Sequence, residues 1–203
     1  MQESEILKMD NTLNYYNENA QKFIESTVSV EFKHMQDKFL DKLGNKAYIL
    51  DFGCGSGRDT KYFLDKGYRV DAIDGSKELC KFASEFTGIE VKNILFQELH
   101  EYNKYDGIWA CSSILHCTRK ELPLIFKKMI DALTDKGVIY TSFKYGDFEG
   151  ERNGRFFNFM TEKTLDELLL QFPELEKEEL WVTEDVRPNR DSEKWLNVIL
   201  RKR

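Results

Sequence analysis

The sequence predicts an α/β fold, a mostly parallel sheet with helices on both faces. Three observations predict it. From Ala47 to Phe143, short apolar segments alternate with segments whose apolar residues recur at helical spacing. The first of the apolar segments runs into Gly53, Gly55 and Gly57 just before a helical pattern, as a buried strand does when it feeds a glycine-rich turn at a helix N-terminus. The chain then closes on two strand-like segments, 178–184 and 195–200, joined by a loop with no helix between them, which suggests an antiparallel pair.

Taken in order, residues 1–46 read as a helical preface. Tyr15, Tyr16, Ala20, Phe23 and Ile24 suggest one helix, and Val28, Phe32, Met35, Phe39, Leu40 and Leu43 fit one face of a second. No linker separates them from the remainder, so we expect one domain over 1–203, with 1–46 packing on a 47–203 core or covering its ligand crevice. A strand over 47–52 is followed by a helix over 58–66, stopped by Gly67, and by a strand over 68–73 that ends at Asp74. Ser76 is a suitable N-cap for a helix carrying Leu79, Phe82, Ala83 and Phe86. Strands are expected over 90–96 and 105–110. Thr118-x-x-Glu121 reads as a capping box ahead of the stripe Leu122, Ile125, Phe126, Met129, Ile130 and Leu133, with Pro123 in the early turns, where a missing N–H costs little. A strand over 137–143 and a helix bearing Leu165, Leu168, Leu169 and Phe172 complete the alternation.

Composition excludes several classes. The chain has 203 residues, 41% hydrophobic and 33% charged, which suits one soluble globular domain. A net charge of −6 argues against a nucleic-acid partner, since phosphate binding needs clustered Lys and Arg. No apolar run reaches the roughly 18 residues of a membrane span, and the N-terminus lacks the basic and apolar regions of a signal peptide. Cys54, Cys80, Cys111 and Cys117 form no C-x-x-C pair, so reduced thiols and a cytoplasmic location are expected. Cys111, His116 and Cys117 lie close in sequence but match no common zinc spacing, and no metal is expected.

In an open α/β sheet the ligand crevice lies at the carboxyl ends of the strands. Asp51 ends the first strand, where a carboxylate can hold a ligand ammonium or cap the glycine turn. Gly53, Gly55 and Gly57 stand at alternate positions, with no room for side chains against a ligand. Arg58 can pair with a ligand carboxylate or with Asp59. Asp74 follows Gly57 by 17 residues, at a strand end where its carboxylate can accept from both hydroxyls of a ribose. Glu98 and Leu99 can bind an adenine edge, or Glu98 can be an exposed acid at a loop start. Cys111 to His116 lie at the end of the fourth strand, where a reacting group would emerge.

Together, the segments AYILDFGCGSGRD, VDAIDGS, FQEL, YDGIWACSSILH and GVIYTSFKYG resemble the class I S-adenosylmethionine (SAM) methyltransferases. Within that family the Gly-x-Gly-Arg-Asp variant at Gly55–Asp59 is similar to the small tellurite-resistance and thiopurine type. The resemblance implies a Rossmann-like seven-stranded sheet with its last strand antiparallel. It implies SAM as cofactor, S-adenosylhomocysteine (SAH) as product, and contacts at Asp51, Gly53, Gly55, Gly57, Asp74, Glu98 and Leu99. Cys54, Arg58, Gly75, Ser76 and Cys111 complete the expected cofactor set. The acceptor is expected to be a small molecule. The Asn/Asp-Pro-Pro-Tyr motif of nucleic-acid amino-methyltransferases is missing after the fourth strand, no Pro precedes a cysteine, and no acid set suits a catechol-type metal.

His116, Tyr15 and Tyr16 are the candidate bases and also candidate acceptor contacts. Arg152, Arg155, Arg187 and Arg190 can form an anion-binding rim, or pair with Glu149, Glu151 and Glu184. Two other readings are a nicotinamide-dependent oxidoreductase, which the Gly-x-Gly-x-Gly spacing disfavours, and a SAM-binding module without turnover.

Overall fold

The structure, a computed structural model, describes residues 3–187 and 193–203. Three helices come first: α1 (Glu3–Glu18), α2 (Ala20–Thr27) and α3 (Lys33–Leu40). Then follow β1 (Tyr48–Phe52), α4 (Arg58–Asp65), β2 (Arg69–Asp74), α5 (Lys77–Thr87), β3 (Val91–Asn93) and β4 (Tyr105–Ala110). The chain continues through α6 (Leu122–Ala132), β5 (Leu133–Lys144), the hairpin β6 (Glu149–Arg152) and β7 (Arg155–Asn158), α7 (Glu162–Leu169), β8 (Leu175–Glu184) and β9 (Lys194–Lys202). Short 3₁₀ turns at Phe96–Glu98 and Ile114–His116 follow β3 and β4.

The main sheet has the order β3-β2-β1-β4-β5-β9-β8. The first five strands are parallel, and β9 runs antiparallel to both β5 and β8. Successive strand residues point to opposite faces, so the central strands divide into two cores. Leu50, Ile108, Ile139 and Leu200 face α6 and α7, whereas Ile49, Trp109, Tyr140 and Ile199 face α3 and α4. On the first face, Leu122, Ile125, Phe126, Met129 and Ile130 of α6 are all buried. Each contributes on the order of 1.5–3 kcal/mol by burial. The Thr118–Glu121 box, with Thr118 N donating to Glu121 Oε2 at 2.8 Å and Glu121 N to Thr118 Oγ1 at 3.2 Å, is worth about 1 kcal/mol. Packing therefore holds α6, and the box closes the turn that leads into it.

Four boundaries differ from expectation. The first helix of the preface divides at Asn19, whose side chain donates to Tyr15 O at 2.8 Å and competes with the helix ladder. The third strand stops at Asn93 rather than running to 96, because the Asn93 amide turns back to Asp74 O and Gly75 O at 3.0 and 2.9 Å. Leu133 opens β5 instead of closing α6. The loop expected after the fifth strand contains the hairpin β6–β7. Its turn, Asn153-Gly154, has φ of 52° and 76°, which two-residue hairpins prefer and Asn-Gly supplies.

Candidate functional site

A crevice opens at the carboxyl ends of β1, β2 and β4, roofed by α1 and α2, and it has two lobes. Leu13, Asp74, Gly75, Leu95, Phe96, Gln97 and Ser113 line the first. Arg58, Cys111, Lys144, Arg155, Phe157, Phe159 and Trp195 line part of the second. Tyr16, Phe23, Gly53, Gly55, Ser112 and His116 belong to both, so the glycine turn is the floor where the lobes meet.

The glycines are required mainly by protein neighbours. Gly53 has φ +90°, and a Cβ there would lie 2.5 Å from Ser113 Cβ. Gly57, φ +77°, sits against α5, where a Cβ would meet Thr87 Cγ2 at 2.9 Å and Ala83 Cβ at 3.1 Å. Gly57 is therefore a packing position, not a ligand-facing one. A Cβ on Gly55 would meet Phe23 of α2 at 3.1 Å, and one on Gly75 would meet Leu13 of α1 at 2.6 Å. The bare backbone at these two positions lets the roof descend onto the turn.

The acids have separate surroundings. Asp74 accepts Gly55 N at 2.9 Å on one carboxylate oxygen and Ser76 N at 2.8 Å on the other. Each oxygen keeps acceptor capacity at the edge of the first lobe. Burial raises its pKa against these backbone donors. Asp51 is buried beneath the turn and accepts from Thr60 Oγ1 at 2.6 Å. Burial and the neighbouring Asp59 raise its pKa. Asp51 lines neither lobe. Arg58 grips Asp59, with Nε and Nη2 at 2.7 and 2.9 Å from its two oxygens, and Trp109 Nε1 and Gln36 Nε2 also donate to Asp59. Arg58 is thus committed to its neighbour.

The expectation at Glu98 and Leu99 is corrected. Glu98 is exposed, and its carboxylate turns back to Leu95 N at 2.7 Å, capping the 3₁₀ turn. Leu99 is buried in the core beneath. The residues of this loop that reach the first lobe are Leu95, Phe96 and Gln97. Sequence reasoning placed them too late in the chain because it extended β3 too far. Ser76 caps α5 through Leu79 N and donates to Asn17 Oδ1 of α1 at 2.7 Å. Cys54 and Cys111 line the second lobe, and burial pushes the Cys111 thiol up to about 12. Ser112 and Ser113, within the segment Cys111–His116 expected at the reacting group, both reach the first lobe. Ser112 has φ +53°, a strained value for a non-glycine residue. Ser113 Oγ is buried and has no hydrogen-bond partner among the described residues.

Tyr16 and His116 meet across the boundary between the lobes, Oη to Nε2 at 2.8 Å. The other ring nitrogen of His116, Nδ1, lies 2.6 Å from Phe156 O. A carbonyl only accepts, so Nδ1 carries the proton and Nε2 accepts from Tyr16. Burial, with Arg155 and Lys144 nearby, lowers the His116 pKa to about 4 against the pull of the Phe156 carbonyl. Burial likewise raises the pKa of Tyr16, against the opposing influence of Arg155. The pair is neutral at pH 7. With both nitrogens engaged, His116 does not join Cys111 and Cys117 as a metal ligand. Among the described residues no grouping of His, Cys, Asp and Glu suits a metal.

Of the arginine rim, Arg187 is tied to Asp185, Nε to Oδ1 at 2.9 Å. Arg152 is exposed, and Arg190 lies outside the described residues. Arg155 lies over the Tyr15 ring at 4.5 Å. Among the described residues no helix is long and apolar enough to cross a membrane.

An α/β sheet of this order, with a glycine turn and a ribose-spaced acid at its switch point, defines a nucleoside-cofactor enzyme class. Residues 49–137 match the family described as a methyltransferase domain. YqeM of Bacillus subtilis, a methyltransferase by name, is 29% identical over 117 residues, 52% of this chain and 47% of its own. The chain thus spans about half the length of that relative. An uncharacterized methyltransferase of Staphylococcus carnosus is 27% identical over 66% of this chain and 72% of its own. Among solved structures, the Burkholderia thailandensis 1,6-didemethyltoxoflavin N1-methyltransferase, with SAH and its acceptor bound, superposes with a TM-score of 0.77 at 21% identity. That match covers 98% of this chain and 88% of the other. TehB from Haemophilus influenzae gives 0.71 at 20% identity, over 89% of this chain and 66% of its own. The methyltransferase-domain match over residues 49–137, with relatives and fold neighbours that are methyltransferases by name, supports a SAM-dependent methyltransferase.

Proposed function

We propose that this protein transfers a methyl group from SAM to a small-molecule acceptor, with the adenosine of the cofactor in the first lobe and the acceptor in the second. The observation that carries this reading is the shared floor: Gly53, Gly55 and Ser112 border both lobes, so a ligand filling the first exposes its far end to the second. The residues present fit the cofactor. Asp74 keeps acceptor capacity for two ribose hydroxyls, the buried Ser113 Oγ lacks a partner, and the bare backbone at Gly53 and Gly55 allows close approach. Leu95 and Phe96 give apolar cover for a purine.

SAM supplies an electrophilic methyl on a sulfonium, which an acceptor lone pair takes while the C–S bonding electrons return to sulfur. The chain's part is to align the nucleophile about 3 Å from that carbon and to exclude water. Leu13, Tyr16 and Phe23 form the roof that does the excluding. His116, held neutral with a pKa of about 4, is a weak base at pH 7. Tyr16 and His116 therefore orient the acceptor, whose nucleophile arrives with its lone pair available. The test is incubation with SAM and a panel of small amines, phenols and thiols, with SAH measured as product. Acceptor-dependent SAH from an amine supports the reading; SAH binding without turnover on any member favours a non-catalytic module.

A further inference from the structure

We propose that Arg155 recognises a carboxylate on the acceptor, an inference that rests on the methyl-transfer reading above. Arg155 opens β7 and lines the second lobe. Its Nη1 donates to Tyr16 Oη at 3.4 Å. Its Nε is buried without a hydrogen-bond partner, and among the described residues Nη2 makes no hydrogen bond either. In a planar guanidinium the Nε–H and Nη2–H bonds leave the same edge in parallel, and that edge matches the two oxygens of a carboxylate.

Three of the neighbouring cations are already matched: Arg58 has Asp59, Arg187 has Asp185, and Lys144 has Glu193. Arg152, at the lobe's edge, is exposed, so water solvates its charge. Among the described residues Arg155 has no carboxylate within ion-pairing distance. Its guanidinium is instead held by rings, lying over Tyr15 at 4.5 Å, Phe157 at 5.1 Å and Tyr16 at 5.6 Å. Rings fix its plane but leave its charge uncompensated in a partly desolvated site, which is costly unless a ligand supplies the counter-charge. The lobe also presents Glu184, Asp185 and Glu193. One partly buried, unmatched cation among acids selects a monoanion over a phosphate dianion. Phe157, Phe159 and Trp195 beside it suit a planar body. The acceptor class is therefore a small planar carboxylic acid, anchored by its carboxylate and methylated elsewhere.

Benzoate and its uncharged analogue benzamide serve as probes, titrated by calorimetry into protein saturated with SAH. Wild type is expected to bind benzoate at least tenfold more tightly than benzamide. Arg155→Gln is expected to abolish that preference and to keep SAH affinity within about twofold. Arg155→Lys, which keeps the charge but loses the fork, is expected to fall between them and serves if the Gln variant fails to fold. Equal binding of the two probes by wild type, no benzoate binding at millimolar concentration, or unchanged selectivity in Arg155→Gln would overturn the proposal. Loss of SAH binding in Arg155→Gln would also overturn it, by assigning the guanidinium to the cofactor. Failure of wild type to bind SAH removes the methyl-transfer reading instead, and the benzoate titration of the protein alone still tests Arg155.

Discussion

The two lobes of the crevice are built in opposite ways. The floor of the first comes from one stretch, Asp51 to Ser76, in which a strand, a glycine turn and a second strand end fix one another through short contacts such as Gly55 N to Asp74. The second is assembled from segments far apart in sequence. Tyr16 meets His116, Thr12 Oγ1 accepts from Phe156 N at 2.9 Å, and Arg155 rests on Tyr15. The lesson is a division of labour. On the proposed reading, donor chemistry is written into a contiguous motif, whereas acceptor chemistry depends on how α1 and the β6–β7 hairpin dock.

That contrast can be broken from either side. The largest effect is expected from Gly53→Ala. A Cβ 2.5 Å from Ser113, at a φ of +90°, should destabilise the fold by about 3 kcal/mol and lower the melting temperature measurably. Next, Asp74→Ala should weaken SAH binding about 100-fold by calorimetry, since it removes the acceptor for two hydroxyls, each charged hydrogen bond being worth about 1.5–3 kcal/mol. In the second lobe the effects are smaller. The folded pKa of His116, about 4, lies below its ordinary 6.5, so the fold favours the neutral ring. That stability is complete above pH 6.5 and is lost as pH falls through about 4. Wild type should lose about 1–2 kcal/mol more than His116→Gln between pH 7 and pH 5 in chemical denaturation. Tyr16→Phe should cost about 1 kcal/mol of stability. It should also alter acceptor kinetics while leaving SAH affinity within about threefold.

The same division explains how much was legible beforehand. The alternation of strands and helices, the stripe on α6, the cap at Ser76 and the closing antiparallel pair follow from local periodicity and side-chain chemistry, and the structure contains them. Asn153-Gly154 advertised a hairpin that reading the segment as a loop passed over. The shift from Glu98–Leu99 to Leu95–Gln97 had no local signal, because the Asn93 amide that ends β3 bonds to carbonyls 18 and 19 residues away. Likewise, nothing near Arg58 in sequence tells whether it will prefer a ligand or Asp59. The choice is made by Gln36 and Trp109, which hold Asp59 in place. Leu13 and Phe23 enter the site only because α1 and α2 fold back over it.

The central claim, that the first lobe holds the adenosyl cofactor of methyl transfer, is tested most directly by calorimetric titration of the wild-type protein with SAH and, in parallel, with NADH. The account predicts saturable SAH binding at one site per chain, none for NADH, and loss of the SAH signal in a folded Asp74→Ala variant. Absence of SAH binding to wild type, or equal SAH affinity in Asp74→Ala, would contradict it.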